Sequence, residues 1–324
     1  MSSEFDLIRR HFTRATPGAV LGVGDDAALL ALTPGCQWAV STDMLVSGRH
    51  FFPDTDPEGL GHKAMAVNLS DLAAMGARPR WATLALALPE ADEAWLSAFA
   101  RGLYALADAH RVELVGGDTT RGPCNISITV MGEVGVDQAL RRDAARLGDD
   151  IWVSGELGGA ALALRHLRGE LDLGEHAAAC LERLQRPQPR VELGLRLVGL
   201  AHAAIDLSDG LLADLGHILE RSGVGAVIDR ASIPVADAFA LFSNKFPNEF
   251  PNEFPHEFDA CALAGGDDYE LCFTAAPERA DALRQVALEC GVAVTRIGQI
   301  TATPGLRDAL GRVFDHTKGY DHFA

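Results

Sequence analysis

The chain has 324 residues, of which 48% are hydrophobic, 23% charged and 6% aromatic, and its formal net charge is −17. That length is more than one core needs and suits two domains of roughly 150 residues each. The acidity excludes a general basic field for nucleic acid or an anionic membrane, and no apolar run nears the ~18 residues of a membrane span.

In chain order, Trp38–Ser41 reads as a short strand. Pro57 to Gly76 has helical spacing, with Leu60, Ala64, Val67, Leu72 and Met75 at three- and four-residue intervals. Thr83–Leu88 is a predicted strand, and Glu90 to His110 a helix opened by acidic residues. Val112–Val115 and Ile126–Val134 are predicted strands flanking a Gly-rich loop. The polar RLGDD at 146–150 marks a boundary, giving expected domains at 1–148 and 149–324. The second half repeats the theme: a strand at Ile151–Ser154, a helix after Gly158-Gly159, and a turn at Pro187–Pro189. A strand around Ala203–Ile205, a helix from Leu211 to Arg221, a strand at Glu270–Thr274 and a helix at Pro277–Cys290 follow. The expected fold class is α/β with mixed sheets in two domains.

Residues 242–258 read FSNKFPNEFPNEFPHEF. Phenylalanine recurs every fourth residue, but Pro247, Pro251 and Pro255 forbid a continuous helix. A recognition segment and a tetrapeptide expansion at a tolerant loop tip are the two readings, and the loop is favoured. The six cysteines form no CxxC, which argues against a zinc ribbon or redox dithiol, and MSSEFDLIRRHF lacks the apolar stretch of a secretory signal. The expected location is the cytoplasm.

Only three lysines occur, Lys63, Lys245 and Lys318, and there is no GxxxxGK[ST]. Any phosphate chemistry must therefore rely on arginine, backbone N–H groups or metal. Nine aspartates lie in six short motifs: Gly24-Asp25-Asp26, Ser41-Thr42-Asp43, Asn68-Leu69-Ser70-Asp71, Gly116-Gly117-Asp118, Asp206-Leu207-Ser208-Asp209-Gly210 and Gly265-Gly266-Asp267-Asp268. Converging carboxylates repel unless cations sit between them. Mg²⁺ suits such hard oxygens, taking one or two carboxylates and completing its shell with water and phosphate. Singly, each aspartate reads as well as a helix cap or a turn former; Ser208 or Asp209 could cap the helix at Leu211. Asp71 resists that reading, because it falls mid-helix on an apolar segment with Asn68 on the same face.

Taken in order, GVGDDAALL, STDMLVSGRHF, KAMAVNLSDLAAMGARP, GGDTTRGP, AIDLSDGLLADLGHI, GGDDYELCFT and KGYDHF resemble the thiamine-phosphate kinase family of the aminoimidazole-ribonucleotide synthetase-like superfamily. The resemblance implies an N-terminal α/β domain pairing across a homodimer and a C-terminal domain closing over nucleotide and substrate. It implies Mg²⁺-dependent transfer from ATP to thiamine monophosphate, giving thiamine diphosphate. Asp25, Ser41, Thr42, Asp43, Asp71, Asp118, Asp206 and Asp209 would hold several Mg²⁺ ions, with catalysis resting on Asp43, Asp71, Asp118 and Asp206. Gly117, Asp118, Arg142, Ser208 and Tyr104 would contact ATP; His50, Asp267 and Tyr320 would lie near thiamine monophosphate.

Two departures stand out: the family usually has Glu where this chain has Asp267, and the 242–258 insertion has no familiar counterpart. A phosphate monoester acceptor, with a second pKa of ~6, is already dianionic at neutral pH. No general base is then needed, and direct transfer without a phosphoenzyme is expected. The rival readings are another ATP-dependent synthetase of the superfamily and a non-catalytic Mg-nucleotide scaffold.

Overall fold

The computed structural model describes residues 4–243 and 258–314. The chain divides into two compact units, Met1–Leu72 with Ala77–Ala139, and Ala73–Gly76 with Leu140–Ala324.

The first unit contains α1 (Glu4–His11), β1 (Cys36–Val46), α2 (Pro57–Ala74), β2 (Arg78–Leu88), α3 (Glu93–Ala109), β3 (Glu113–Arg121) and β4 (Asn125–Gly135). Its sheet has the order β1-β4-β2-β3, antiparallel except for the parallel β2/β3 pair. β4 alternates as a strand with one covered face must: Ile126, Ile128 and Val130 are buried while Ser127, Thr129 and Met131 are half-buried. The helix expected at 57–76 forms, and it is buried almost all round, from Leu60 through Val67 and Leu69 to Leu72. α3 starts at Asp92, whose carboxylate accepts from the N–H of Ala94 (2.8 Å) and Trp95 (3.1 Å). The two helices approach at glycines: a Cβ on Gly61 would lie 2.0 Å from the Phe99 carbonyl oxygen, and one on Gly102 1.8 Å from that of Glu58.

Two strands depart from expectation. β1 runs eleven residues, carrying Ser41, Thr42 and Asp43 inside it. As the end strand of its sheet it turns one row of side chains outward, which tolerates polar residues there. The expected Gly-rich loop is part of β3, which stays paired with β2 from Thr83↔Gly116 to Leu88↔Arg121. Gly117 has φ 148°, and a Cβ there would lie 1.9 Å from the Leu84 carbonyl oxygen. Glycine marks close backbone approach within a strand here.

The second unit contains β5 (Asp150–Ser154), α4 (Gly159–Leu167), α5 (Ala177–Gln185), α6 (Val191–Leu197), β6 (Ala203–Asp206), α7 (Leu211–Ser222), β7 (Gly225–Ile228), α8 (Ala240–Ser243), β8 (Leu271–Ala275), α9 (Ala280–Cys290), β9 (Val294–Thr301), β10 (Gly305–Asp308) and β11 (Val313–Phe314). A π-helical turn spans Phe258–Leu263. The sheet order is β11-β10-β7-β9-β5-β8-β6, with β7/β10 parallel and the other pairs antiparallel. The core joins Ile151 and Val153 of β5, Leu162 of α4, Ile205 of β6, and Leu215 and Ile218 of α7. Among the described residues, no helix is long and apolar enough to cross a membrane. Most of the 242–258 insertion, and Tyr320, lie outside the described residues.

Candidate functional site

In the first unit, the β1/α2 contact assembles the acidic residues. Asp71, half-buried on α2, accepts from the Ser41 hydroxyl at 2.5 Å. One turn earlier, the Asn68 side-chain oxygen accepts from the Asp43 N–H at 3.0 Å, while its amide donates to Ala64 O at 2.9 Å. The fully buried Asn68 thus ties the backbone of β1 to α2 and fixes Asp43 beside Asp71 in chain register. Thr42, on the opposite face of β1, shares a 2.8 Å hydrogen bond with Thr129.

Beyond β1 the chain turns back tightly, and the Val46 N–H donates to His50 Nδ1 at 3.0 Å. In the neutral ring this leaves the proton on Nε2, making His50 a donor through that atom. Asp25 is exposed and its side chain accepts from the N–H of the next residue, Asp26, at 2.8 Å. Asp118 is exposed on β3, opposite Ala85.

Tyr104 does not fit the expected nucleotide contact. It is 4% exposed on α3, its hydroxyl donates to Phe12 O at 3.0 Å, and the Arg14 guanidinium lies 3.5 Å from its ring centroid. Burial pushes its phenol up to about 12, against the Arg14 charge. The residue anchors the N-terminal segment on α3.

In the second unit the Asp-Leu-Ser-Asp-Gly and Gly-Gly-Asp-Asp motifs are neighbours. The β6/β8 ladder ends at Asp206↔Leu271. It continues irregularly as Leu207 N–H to Glu270 O (2.8 Å), Tyr269 N–H to Leu207 O (2.9 Å) and Asp267 N–H to Ser208 O (2.9 Å). Asp206 is buried; Ser208, Asp209 and Asp267 are half-buried beside it in the chain pairing.

Neither Ser208 nor Asp209 caps α7. Gly210 holds the cap position, and Asp214 reaches back from the first turn to accept from the N–H of Asp209 (3.0 Å) and Gly210 (3.1 Å). Burial raises the Asp214 carboxyl to about 7; the Asp209 charge adds to the rise, while the two N–H donors and Arg142 oppose it. That influence puts the exposed Arg142 within electrostatic reach of this loop, and its carbonyl accepts from Ser222 Oγ at 2.9 Å.

The sequence reading missed several residues that shape this region. Asp268 accepts from the N–H of Gly158 at 2.8 Å, at the start of α4, and burial holds its carboxyl well above the ordinary range. Glu270, 3% exposed, accepts from the Ser154 hydroxyl at 2.5 Å and from Arg190 through two N–H groups, one at 2.6 Å. The signal that singled out Asp71, a carboxylate within an apolar helix, was equally present for Asp214 in LLADLGHI.

Among the described residues, no group of three or more His, Cys, Asp or Glu side chains converges to hold a metal. What each unit offers is hard oxygen in small numbers: Asp71 with the Ser41 hydroxyl in the first, and Asp206 and Asp209, three residues apart in the chain, in the second. Mg²⁺ accepts that number of carboxylates when substrate phosphate and water supply the rest of its shell, so this donor set fits Mg²⁺ better than an all-protein cage.

The AIR synthase related protein, N-terminal domain, description matches residues 24–134, and the corresponding C-terminal domain matches 146–310. The thiamine-monophosphate kinase of Salmonella typhimurium is 45% identical over 99% of this chain and 98% of its own length. The crystal structure of thiamine-monophosphate kinase from Stenotrophomonas maltophilia K279a is 50% identical, covers 95% of both chains and superposes with a TM-score of 0.83. A structure described as AaThiL complexed with AMPPCP and TMP is 31% identical over 98% of this chain and 96% of that one, with a TM-score of 0.78. With identity of this level sustained from end to end, the chain belongs to the AIR synthase related proteins and, within them, to the thiamine-monophosphate kinase family.

Proposed function

We propose that this protein transfers the γ-phosphoryl group of ATP to thiamine monophosphate, giving ADP and thiamine diphosphate. The observation that carries this reading is full-length similarity to thiamine-monophosphate kinases, at 45% identity over 99% of the chain. The relative solved with AMPPCP and TMP supports the two ligands.

Several Mg²⁺ ions are assigned to Asp25, Ser41, Thr42, Asp43, Asp71 and Asp118 of the first unit and to Asp206 and Asp209 of the second. Mg²⁺ held there would neutralise phosphate charge in a chain that has only three lysines. Catalysis then depends on Asp43, Asp71, Asp118 and Asp206 holding their carboxylates in register. The β1/α2 bonds of Ser41 and Asn68 supply that register in the first unit.

Gly117, Asp118, Arg142 and Ser208 are assigned to ATP. His50 donates through Nε2 to the acceptor, and Asp267 and Tyr320 complete its recognition. The acceptor phosphate attacks as its dianion, so no side chain need remove a proton and no phosphoenzyme forms.

A second copy of this chain is the assigned partner. β1 ends its sheet, with Val40 61% and Met44 53% exposed on the face turned from α2, an apolar row suited to self-pairing. The cytoplasm is the assigned location.

Acceptor-dependent ADP release tests the assignment. ADP should form with ATP plus thiamine monophosphate and not with ATP alone; equal release without the acceptor would overturn it.

A further inference from the structure

The segment from Asp267 to Glu270 alternates two kinds of residue. Asp267 (φ 69°) and Tyr269 (φ 50°) both occupy the left-handed region. Aspartate tolerates that region better than longer side chains, whereas a tyrosine there is strained. Two such residues flanking a single position persist only where their surroundings hold them. The residue between them and the one after supply the hold: Asp268 is fastened to the start of α4 through Gly158 N–H, and Glu270 to Arg190 and Ser154. The backbone N–H groups of Asp267 and Tyr269 are fastened to Ser208 O and Leu207 O. The strained pair also bond each other, the Tyr269 hydroxyl donating to Asp267 Oδ1 at 3.1 Å.

We propose that Tyr269, Asp268 and Glu270 are positioning residues for acceptor recognition. Asp268 and Glu270 lock the left-handed backbone, and the Tyr269 hydroxyl fixes the rotamer of the Asp267 carboxylate so that it meets thiamine monophosphate pre-oriented. This rests on the reading of Asp267 as an acceptor contact. The short aspartate side chain suits φ 69° and lies within reach of the Tyr269 hydroxyl.

The test uses the full-length protein and calorimetric binding of two probes, thiamine monophosphate and Mg-AMPPCP, in wild type, Tyr269→Phe, Asp267→Asn and the double variant. Tyr269→Phe keeps the ring and removes one oxygen. It should weaken thiamine monophosphate about tenfold, as loss of a hydrogen bond to a charged group does. The double variant should be no weaker than the weaker single one, and Mg-AMPPCP should stay within about twofold throughout. Asp268→Ala should weaken the acceptor selectively, and Asp268→Asn, which keeps an oxygen for Gly158 N–H, should restore it. Additive losses, an unchanged acceptor affinity in Tyr269→Phe, or parallel weakening of both probes would overturn the proposal alone. Wild-type protein that neither binds nor phosphorylates thiamine monophosphate would remove the functional reading, and this inference with it.

Discussion

Replacing Arg190 by methionine isolates an enclosed Arg–Glu ion pair of the second unit. Glu270 is 3% exposed, and the Arg190 side chain 22%. Its carboxylate receives two N–H donors from Arg190 and one hydroxyl from Ser154, whose own oxygen accepts from the Leu271 N–H at 2.9 Å. Arg190→Met leaves a buried carboxylate with a single hydroxyl donor, and breaking a buried pair from one side costs about 3–5 kcal/mol. Adding Glu270→Gln removes the orphaned charge, and the deficit should shrink to about 1–2 kcal/mol. Urea unfolding of wild type and variants, followed by circular dichroism, reads the cost. A cost below about 1 kcal/mol at pH 7, or a double variant as unstable as the single one, would refute the claim that Arg190 neutralises Glu270.

Asp71→Asn keeps an oxygen to accept from Ser41 but loses its charge; kcat should fall at least ~100-fold with the melting temperature nearly unchanged, and near-normal turnover would make Asp71 structural. Gly117→Ala should destabilise the first unit by at least ~2 kcal/mol in urea and raise the KM for ATP, since its Cβ would meet the Leu84 carbonyl at a φ of 148°. For Asp214 the folded carboxyl, raised to about 7, keeps its proton at pH values where the unfolded one has lost it. Metal-free wild type should therefore lose stability relative to Asp214→Asn as pH rises from ~4 to ~7, by at most ~4 kcal/mol. A pH-independent difference between the two would remove the raised carboxyl from the account.

What the sequence made legible was the long-period structure and the residue types needed for phosphate chemistry. The spacing of Leu60, Ala64, Val67 and Leu72 located α2, and Asp71 stood out because a carboxylate on that face needs a partner. What stayed hidden depends on contacts between distant segments. Gly116-Gly117 reads as a loop because glycine is rare in strands, yet its place in β3 follows from the approach to Leu84, 33 residues earlier. The four-residue β7 went unread, although the equally short β6 was expected around Ala203–Ile205. The cap of α7 came from inside the helix, through Asp214, and the start of α4 is bonded by Asp268 from 110 residues away. Tyr104 shows the converse: the family resemblance placed it at ATP, and its ring is buried against Phe12 and Arg14.

Chromatographic measurement of thiamine diphosphate formed from thiamine monophosphate and ATP, across a Mg²⁺ titration and beside the ADP produced, tests the central claim most directly. Thiamine diphosphate should appear in amounts equal to ADP and vanish when Mg²⁺ is chelated. ADP without thiamine diphosphate, or ATP bound without turnover by correctly folded protein, would contradict it.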